Sequence, residues 1–304
     1  MRSMKIGHFE GNMPVTNMFK EKETIGLIAG GGQFPVMVAK TARKRGIGVV
    51  AVAHLGETDL SLSDHVDEIV WIELGQLGQL INTFKKRRIV TALMAGSIAK
   101  RRMFDNIKPD MKGYKIMTKL AIFHDDDILG AVTRELGKEG IDIVSSTSYM
   151  PELLASPGYL TKKRPTKDEK DDIRLGWKVA KELGRLDIGQ CVVVRKKTVL
   201  AVESIDGTNE TILRGGRLAK KKAVVVKVSK PNQDLRFDVP SVGLITLETM
   251  SQVNACVLAV EAGKTLLFDK SEMVEYADDN GISLICLEEK GPGLDFNPRN
   301  IVTG

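Results

Sequence analysis

The chain is poor in the residue types that announce several common functions. It has three cysteines, Cys191, Cys256 and Cys286, far apart and each inside an apolar run. Such spacing speaks for buried thiols in a reducing compartment, not for a disulfide framework. No Cys-x-x-Cys or His-x-x-x-His pattern occurs, which argues against a zinc site. Aromatic residues make up only 5% of the chain and none interleaves with a basic run, so the stacking platform of a nucleic-acid binder is missing. No apolar run approaches the roughly 18 residues of a membrane span. Residues 1–22 carry Lys5, Glu10 and Lys20 without a sustained apolar centre. They read as a flexible extension with no visible signal peptide. A cytoplasmic protein is the expectation.

What is present is ordinary for a soluble globular protein, with 42% apolar and 28% charged residues. A length of 304 residues implies about two domains. The net charge of +6 and pI of about 9.1 fit an anionic partner, such as a phosphorylated metabolite or an anionic membrane surface.

Along the chain, Thr24–Ala29 is strand-like and runs into Gly30-Gly31-Gly32. Phe34 and Pro35 then open a helix to about Arg45. Strands at Gly46–Ala53, Asp67–Glu73, Ile89–Ala95 and Ile141–Ser145 alternate with helices at Gln76–Lys86 and Asp125–Glu139. This alternation predicts an α/β fold, a Rossmann-like parallel-sheet domain over 23–148. Prolines mark 149–165 as a linker. A second, mixed α/β domain is expected over 166–290, with a tail at 291–304. Its predicted elements are a helix at Lys167–Leu183 and strands at Gln190–Val194, Thr198–Ser204, Ala223–Val226, Val242–Leu247 and Ile282–Leu287. Ser271 is the expected cap of a helix ending near Asn280, with Gly281 just beyond it.

The stretch Lys227–Gly243, KVSKPNQDLRFDVPSVG, lies between two apolar runs. It holds Lys227, Lys230, Gln233, Asp234, Arg236 and Asp238, with Pro231 and Pro240 as rigid punctuation. Charges packed between buried strands are costly unless they pair or meet a ligand. A solvated hairpin loop is the plainer alternative. Asp238 follows Arg236 by two positions, so in an extended segment the two share a face. The glycine triplet before a helix is a phosphate-cradle arrangement. Pro35 stands where the third glycine of a dinucleotide fingerprint belongs, and Gly-Lys-Ser/Thr is absent. A tight strand-to-helix turn explains the glycines as well. Asp125-Asp126-Asp127 read as helix-dipole capping, with a metal-facing pair as the rival. In ESIDGTNETILR, Glu203, Asp206 and Asn209 are oxygen donors of the kind that suits magnesium, and a hairpin turn is the alternative.

Taken together, Gly30-Gly31-Gly32 with Phe34-Pro35, Asp126-Asp127, Leu186-Asp187-Ile188-Gly189-Gln190, Ala201-Val202-Glu203, Asp206-Gly207-Thr208 and the KP-Q-DLRFD-P pattern resemble a known family. It is the UDP-2,3-diacylglucosamine pyrophosphatases of lipid A biosynthesis, the type unrelated to calcineurin-like metallophosphoesterases. The resemblance runs from about Ile25 to Glu288. It implies a two-domain, magnesium-dependent hydrolase that holds a UDP-diacylglucosamine lipid between its domains and releases UMP and the diacylated sugar 1-phosphate. Asp238, Asp234, Arg236, Lys227 and Lys230 would then carry the chemistry. Glu203, Asp206 and Asp238 would hold Mg2+. Gly30, Gly31, Gly32, Phe34, Pro35, Gln190, Thr208, Arg214 and Gln233 would bind substrate. The expected partners are that lipid and loose contact with the inner membrane surface, without nucleic acid and with a homodimer left open. Two positions depart from the family, which usually has Glu-Gly-Thr-Asp where this chain has Asp206-Gly207-Thr208-Asn209, and Met at Thr211. Asn209 keeps an oxygen and loses a charge. The rival readings are a Rossmann-type oxidoreductase and a non-catalytic carrier of UDP-sugar or lipid.

Overall fold

The computed structural model describes residues 23–98, 107–118, 125–231, 233–236, 239–290 and 293–296, the side chains of 125–127 excepted. Strands β1 (Thr24–Ala29) and β2 (Gly48–His54) read TIGLIA and GVVAVAH. Such runs do not alternate because both faces of a parallel sheet are covered. They join β3 (Glu68–Ile72), β4 (Thr91–Ala95) and β5 (Asp142–Ile143) in an all-parallel sheet of order β3-β2-β1-β4-β5. Helix α1 (Phe34–Lys44) covers one face with Val38, Ala39 and Ala42. On the other face α2 (Leu77–Lys86) buries Leu80, Ile81 and Phe84, α3 (Met111–Met117) packs beside it, and α4 (Asp125–Lys138) adds Leu136. This is the Rossmann-like sheet that the sequence pattern implies. Strand order reverses between β1 and β4, the kind of switch point where open α/β sheets receive ligands.

The second sheet is mixed. Its strands are β6 (Gly158–Tyr159), β7 (Cys191–Arg195), β8 (Thr198–Val202), β9 (Val224–Lys227), β11 (Val257–Glu261) and β13 (Ser283–Leu287), with β10 (Ser241–Val242) and β12 (Leu266–Leu267) paired apart from it. The order is β6-β13-β11-β9-β7-β8, with β9, β11 and β13 parallel. Strand β7 runs against β9, so Cys191 at the start of one faces Lys227 at the end of the other. Helix α5 (Lys167–Arg185) opens with a capping box, Thr166 and Glu169 each bonding the other's backbone N–H, and buries Ile173, Trp177 and Ala180 on one face. Helices α6 (Gly207–Ala219), α7 (Leu244–Gln252) and α8 (Lys270–Asp279) complete the layers.

Three expectations are corrected here. Val242–Leu247 is not a strand. Pairing stops at Val242, and Leu244 opens α7, which buries Leu247 and Met250 one turn apart. The β-branched Ile245 and Thr246 cost a helix only fractions of about 1 kcal/mol, and core burial outweighs that. Asp206-Gly207-Thr208 is not a hairpin turn but the start of α6. Ser271 is not a cap, because α8 already begins at Lys270 behind a left-handed Asp269 that makes no side-chain cap bond. Within 149–165, the stretch read as a linker, Gly158–Tyr159 joins the second sheet and Leu154 bridges Leu266.

The two sheets share a core. Val239, Leu266 and Phe268 pack into the apolar cluster under α1, and the Phe34 and Phe268 rings lie 5.4 Å apart. Ser145 Oγ, just past β5, donates to Leu235 O at 2.9 Å. The loop after β9 is thus held from both sides.

Helix α6 closes on β7 through Gly215, where an added Cβ would sit 2.5 Å from Val193 Cβ. Alanine in a helix interior ordinarily gains about 1 kcal/mol over glycine. Overpacking a tight core costs about 1–3 kcal/mol. Gly215→Ala should therefore lower stability, and a higher denaturation midpoint in urea would contradict the packing.

Candidate functional site

The second sheet gathers charge at the carboxyl ends of its parallel strands. Lys227 ends β9 and Glu261 ends β11, and both are buried. The Lys227 ammonium donates to Ser241 O at 2.8 Å, and among the described residues it makes no ion pair. A carbonyl satisfies only one of its three protons and none of its charge. Lys230, also buried, makes a 2.5 Å pair with Asp187, itself left-handed at φ 53. Asp187 carries no signal in the sequence beyond its place in Leu186-Asp187-Ile188-Gly189-Gln190.

The loop between β9 and β10 is folded by its own side chains. Gln233 Oε1 accepts from Ser229 Oγ at 2.8 Å and from Lys230 N–H at 2.9 Å. Asp234 receives the Arg236 guanidinium on both oxygens, and Arg236 donation holds the Asp234 carboxyl below its usual range. Gln233 is thus occupied in shaping the turn. Arg236 pairs with Asp234. Asp238 and Asn232 lie outside the described residues.

Glu203, Asp206, Thr208 and Gln190 form a second group at the start of α6. Glu203 Oε1 accepts from Thr208 Oγ1 at 2.7 Å and Oε2 accepts from Gln190 N–H at 3.0 Å. Gln190 O in turn accepts from Val228 N–H. Asp206 pairs with Arg214 at 2.7 Å and accepts from Ser204. Burial opposes ionisation of Asp206, but Arg214 and Ser204 outweigh it and hold its carboxyl below the ordinary value. Asn209 is exposed on the first turn of α6. An open concavity of about 650 Å³ is lined by Asp206, Glu210, Arg214, Arg217 and Leu218. A separate one of about 730 Å³ beside Glu68, Arg87 and Asp110 on the first domain shares no residue with this edge.

The glycine turn differs from a free phosphate cradle. Gly30 N–H donates to Ala95 O at 2.8 Å and Gly31 N–H to Ser97 O at 2.7 Å, so the end of β4 and the chain just past it take two of the three amides. A Cβ on Gly30 would sit 2.6 Å from Ser97 O, which explains that glycine by close approach alone. Gly32 is left-handed at φ 85 with open space around it. Phe34 and Pro35 turn inward, toward Phe268 and Gly96. Buried His54, whose Nδ1 lies 2.9 Å from Ala29 O, has its pKa pushed down by burial, and Thr58 Oγ1 donates to the same carbonyl at 2.7 Å. Asp125-Asp126-Asp127 open α4, and their side chains lie outside the described residues.

Magnesium has no ready cage here. Both oxygens of Glu203 are taken, Asp206 and Asp234 are each paired with an arginine, and among the described residues no three His, Cys, Asp or Glu side chains gather to hold an ion. The described carboxylates do not fit a resident divalent cation.

The class so described is a two-domain α/β protein whose second sheet offers buried cations at its carboxyl edge. Residues 24–153 match the family described as the LpxI N-terminal domain, and residues 156–285 that described as the LpxI C-terminal domain. A relative from Caulobacter vibrioides, the "UDP-2,3-diacylglucosamine pyrophosphatase LpxI", is 31% identical over 87% of this chain and 97% of its own. The chain belongs to the LpxI family. Solved structures give only a weak likeness. An N5-carboxyaminoimidazole synthetase from Staphylococcus aureus matches at 14% identity and TM-score 0.25, covering 57% of this chain and 38% of its own. The N5-carboxyaminoimidazole ribonucleotide synthetase from Thermotoga maritima matches at 15% and 0.26, covering 60% and 41%. Scores this low do not speak for a shared fold.

Removing one member of a buried ion pair costs about 3–5 kcal/mol when it leaves the other uncompensated. Asp187→Ala takes one partner from Lys230 and should lower stability by about 1–3 kcal/mol. A change under about 0.5 kcal/mol in urea unfolding would show that Lys230 does not depend on the pair.

Proposed function

We propose that this protein hydrolyses the pyrophosphate of UDP-2,3-diacylglucosamine, giving UMP and 2,3-diacylglucosamine 1-phosphate for lipid A. Water adds to one phosphorus, the P–O–P bond breaks, and two protons are released as both products become phosphomonoester dianions. The observation that carries the reading is Lys227, a buried ammonium answered only by the Ser241 carbonyl among the described residues. A pyrophosphate oxygen supplies the missing counter-charge. Lys230, Arg236 and Arg214, each paired with a carboxylate, are further donors for the substrate's anionic groups. Asp234 is ionised by its arginine, and Asp238 is the remaining carboxylate of the loop and the candidate base. The family membership and the name of the Caulobacter relative support the substrate.

Because the described donors do not fit a resident ion, magnesium enters this proposal on the pyrophosphate itself, as part of the substrate. Gly32 and the orphan N–H groups at the start of α1 remain available to a second anionic group. Leu186, Ile188 and Ile205 are exposed beside the same sheet edge, next to Arg185 and Arg214. They suit the acyl chains of a lipid substrate and loose contact with an anionic bilayer. Among the described residues no helix is long and apolar enough to cross a membrane. A carrier would bind this lipid without turnover, so UMP release separates the two readings.

Lys227→Met should cut UMP release at least about 100-fold, the usual scale for a lost charge contact in a transition state, while the folded variant still unfolds cooperatively. A folded Lys227→Met protein with near-normal turnover would end its assignment. Asp238→Ala should lose a similar factor, about 100-fold, as for a lost base. Chelation with EDTA should stop hydrolysis and added magnesium restore it, and full activity after exhaustive chelation would remove the ion from the reaction.

A further inference from the structure

Glu261 and Lys181 form a buried pair that the chemistry above does not use. Glu261 ends β11, the strand flanked by β9 and β13. Its side chain is only 5% exposed and that of Lys181, on α5, 13%. Glu261 Oε2 accepts from Lys181 Nζ at 2.7 Å and from Ser229 N–H at 2.8 Å. Its other oxygen pairs with Lys264 at 2.9 Å. Lys181 Nζ also donates to Ser229 O at 3.0 Å. One ion pair therefore grips both polar groups of a single peptide residue. Ser229 is two residues past the end of β9 and one before Lys230, at the root of the loop that carries Lys230, Asp234 and Arg236.

The surroundings leave that root little room. Gly184 of α5 lies so close that a Cβ there would meet Lys230 Cα at 3.0 Å and Pro231 Cδ at 3.2 Å. The hydroxyl of Ser229 goes to Gln233, so the next turn is built on the same residue. A buried ion pair contributes little net stability, since desolvation offsets attraction. What this pair provides is geometry. It fixes one residue from both of its polar groups, at the root of the loop that carries Lys230, Asp234 and Arg236.

We propose that Lys181 and Glu261 are positioning residues for the pyrophosphatase loop, setting the placement of Lys230, Asp234 and Arg236 from the Ser229 peptide. This rests on the pyrophosphatase reading. Misplacing catalytic groups by about 1 Å can cost about 100-fold in rate. Binding through Lys227, which precedes the clamp on β9, stays in place.

The test compares Lys181→Met, Glu261→Gln and the double variant in the full chain. Glu261→Gln strands the buried Lys181 charge and should lower Tm by about 5 °C or more, while Lys181→Met leaves Glu261 paired with Lys264 and should lower it less. The double variant removes both charges, leaves the introduced amide oxygen to accept from Ser229 N–H, and should recover most of that Tm. Its kcat for UMP release should nevertheless stay at least about tenfold down with KM within about threefold, because Ser229 O has lost its anchor. Its amides from Ser229 to Arg236 should exchange with deuterium at least about tenfold faster. Recovery of kcat together with Tm, or unchanged exchange in the double variant, would overturn the proposal and leave the pair a stability element only. If the wild-type protein releases no UMP, the pyrophosphatase reading fails, and the exchange measurement alone decides whether the pair places the loop.

Discussion

A charge removed from water has to be answered, and at the carboxyl edge of the second sheet four are removed. Lys227, Lys230, Glu203 and Glu261 are all buried there. Each answer ties distant parts of the chain together. Lys230 reaches Asp187 beyond α5, Glu203 joins the start of β7 to the start of α6, and Glu261 joins α5 to the loop root. The edge is consequently rigid where it meets the sheet. Lys227 is the exception, its charge met among the described residues by one carbonyl dipole. That imbalance is what gives the edge an appetite for an anion.

The first domain contributes shape more than charge. Its glycine turn spends two amides on the end of β4 and the residues just past it and so sits tight against the sheet, with Gly32 left over. Phe34 and Ser145 touch the second domain at Phe268 and Leu235, on either side of the charged loop. Apolar contact on one flank and a hydrogen bond on the other leave that loop between the sheets, near the switch point of the first. A lipid with a charged headgroup needs both environments side by side.

Much of this was legible in the residues. Thr24–Ala29 shows as a strand because a six-residue apolar run ends at glycine, and Pro35 marks the helix that follows. Lys227, Lys230 and Arg236 stand out because charge between apolar runs is costly. What stayed hidden depends on distance along the chain. Asp187 lies 43 residues from Lys230, and Lys181 and Ser229 lie 80 and 32 residues from Glu261, separations with no periodic signature. Val242–Leu247 misled because local β-branching points to a strand, while the buried spacing of Leu247 and Met250 makes a helix. Gly30 and Gly31 look like a phosphate loop until the partner strand that takes their amides is known. Glu203 and Asp206 have partners in Thr208, Gln190 and Arg214 that the sequence does not reveal.

The central claim is that a pyrophosphate sits on the carboxyl edge of the second sheet and is held there by Lys227. A crystal structure of the Asp238→Ala protein with intact UDP-2,3-diacylglucosamine tests it most directly. The account places a pyrophosphate oxygen within hydrogen-bond distance of Lys227 Nζ, with Lys230 and Arg236 around the same group. A pyrophosphate bound instead at Gly32 and the start of α1, away from Lys227, would contradict it.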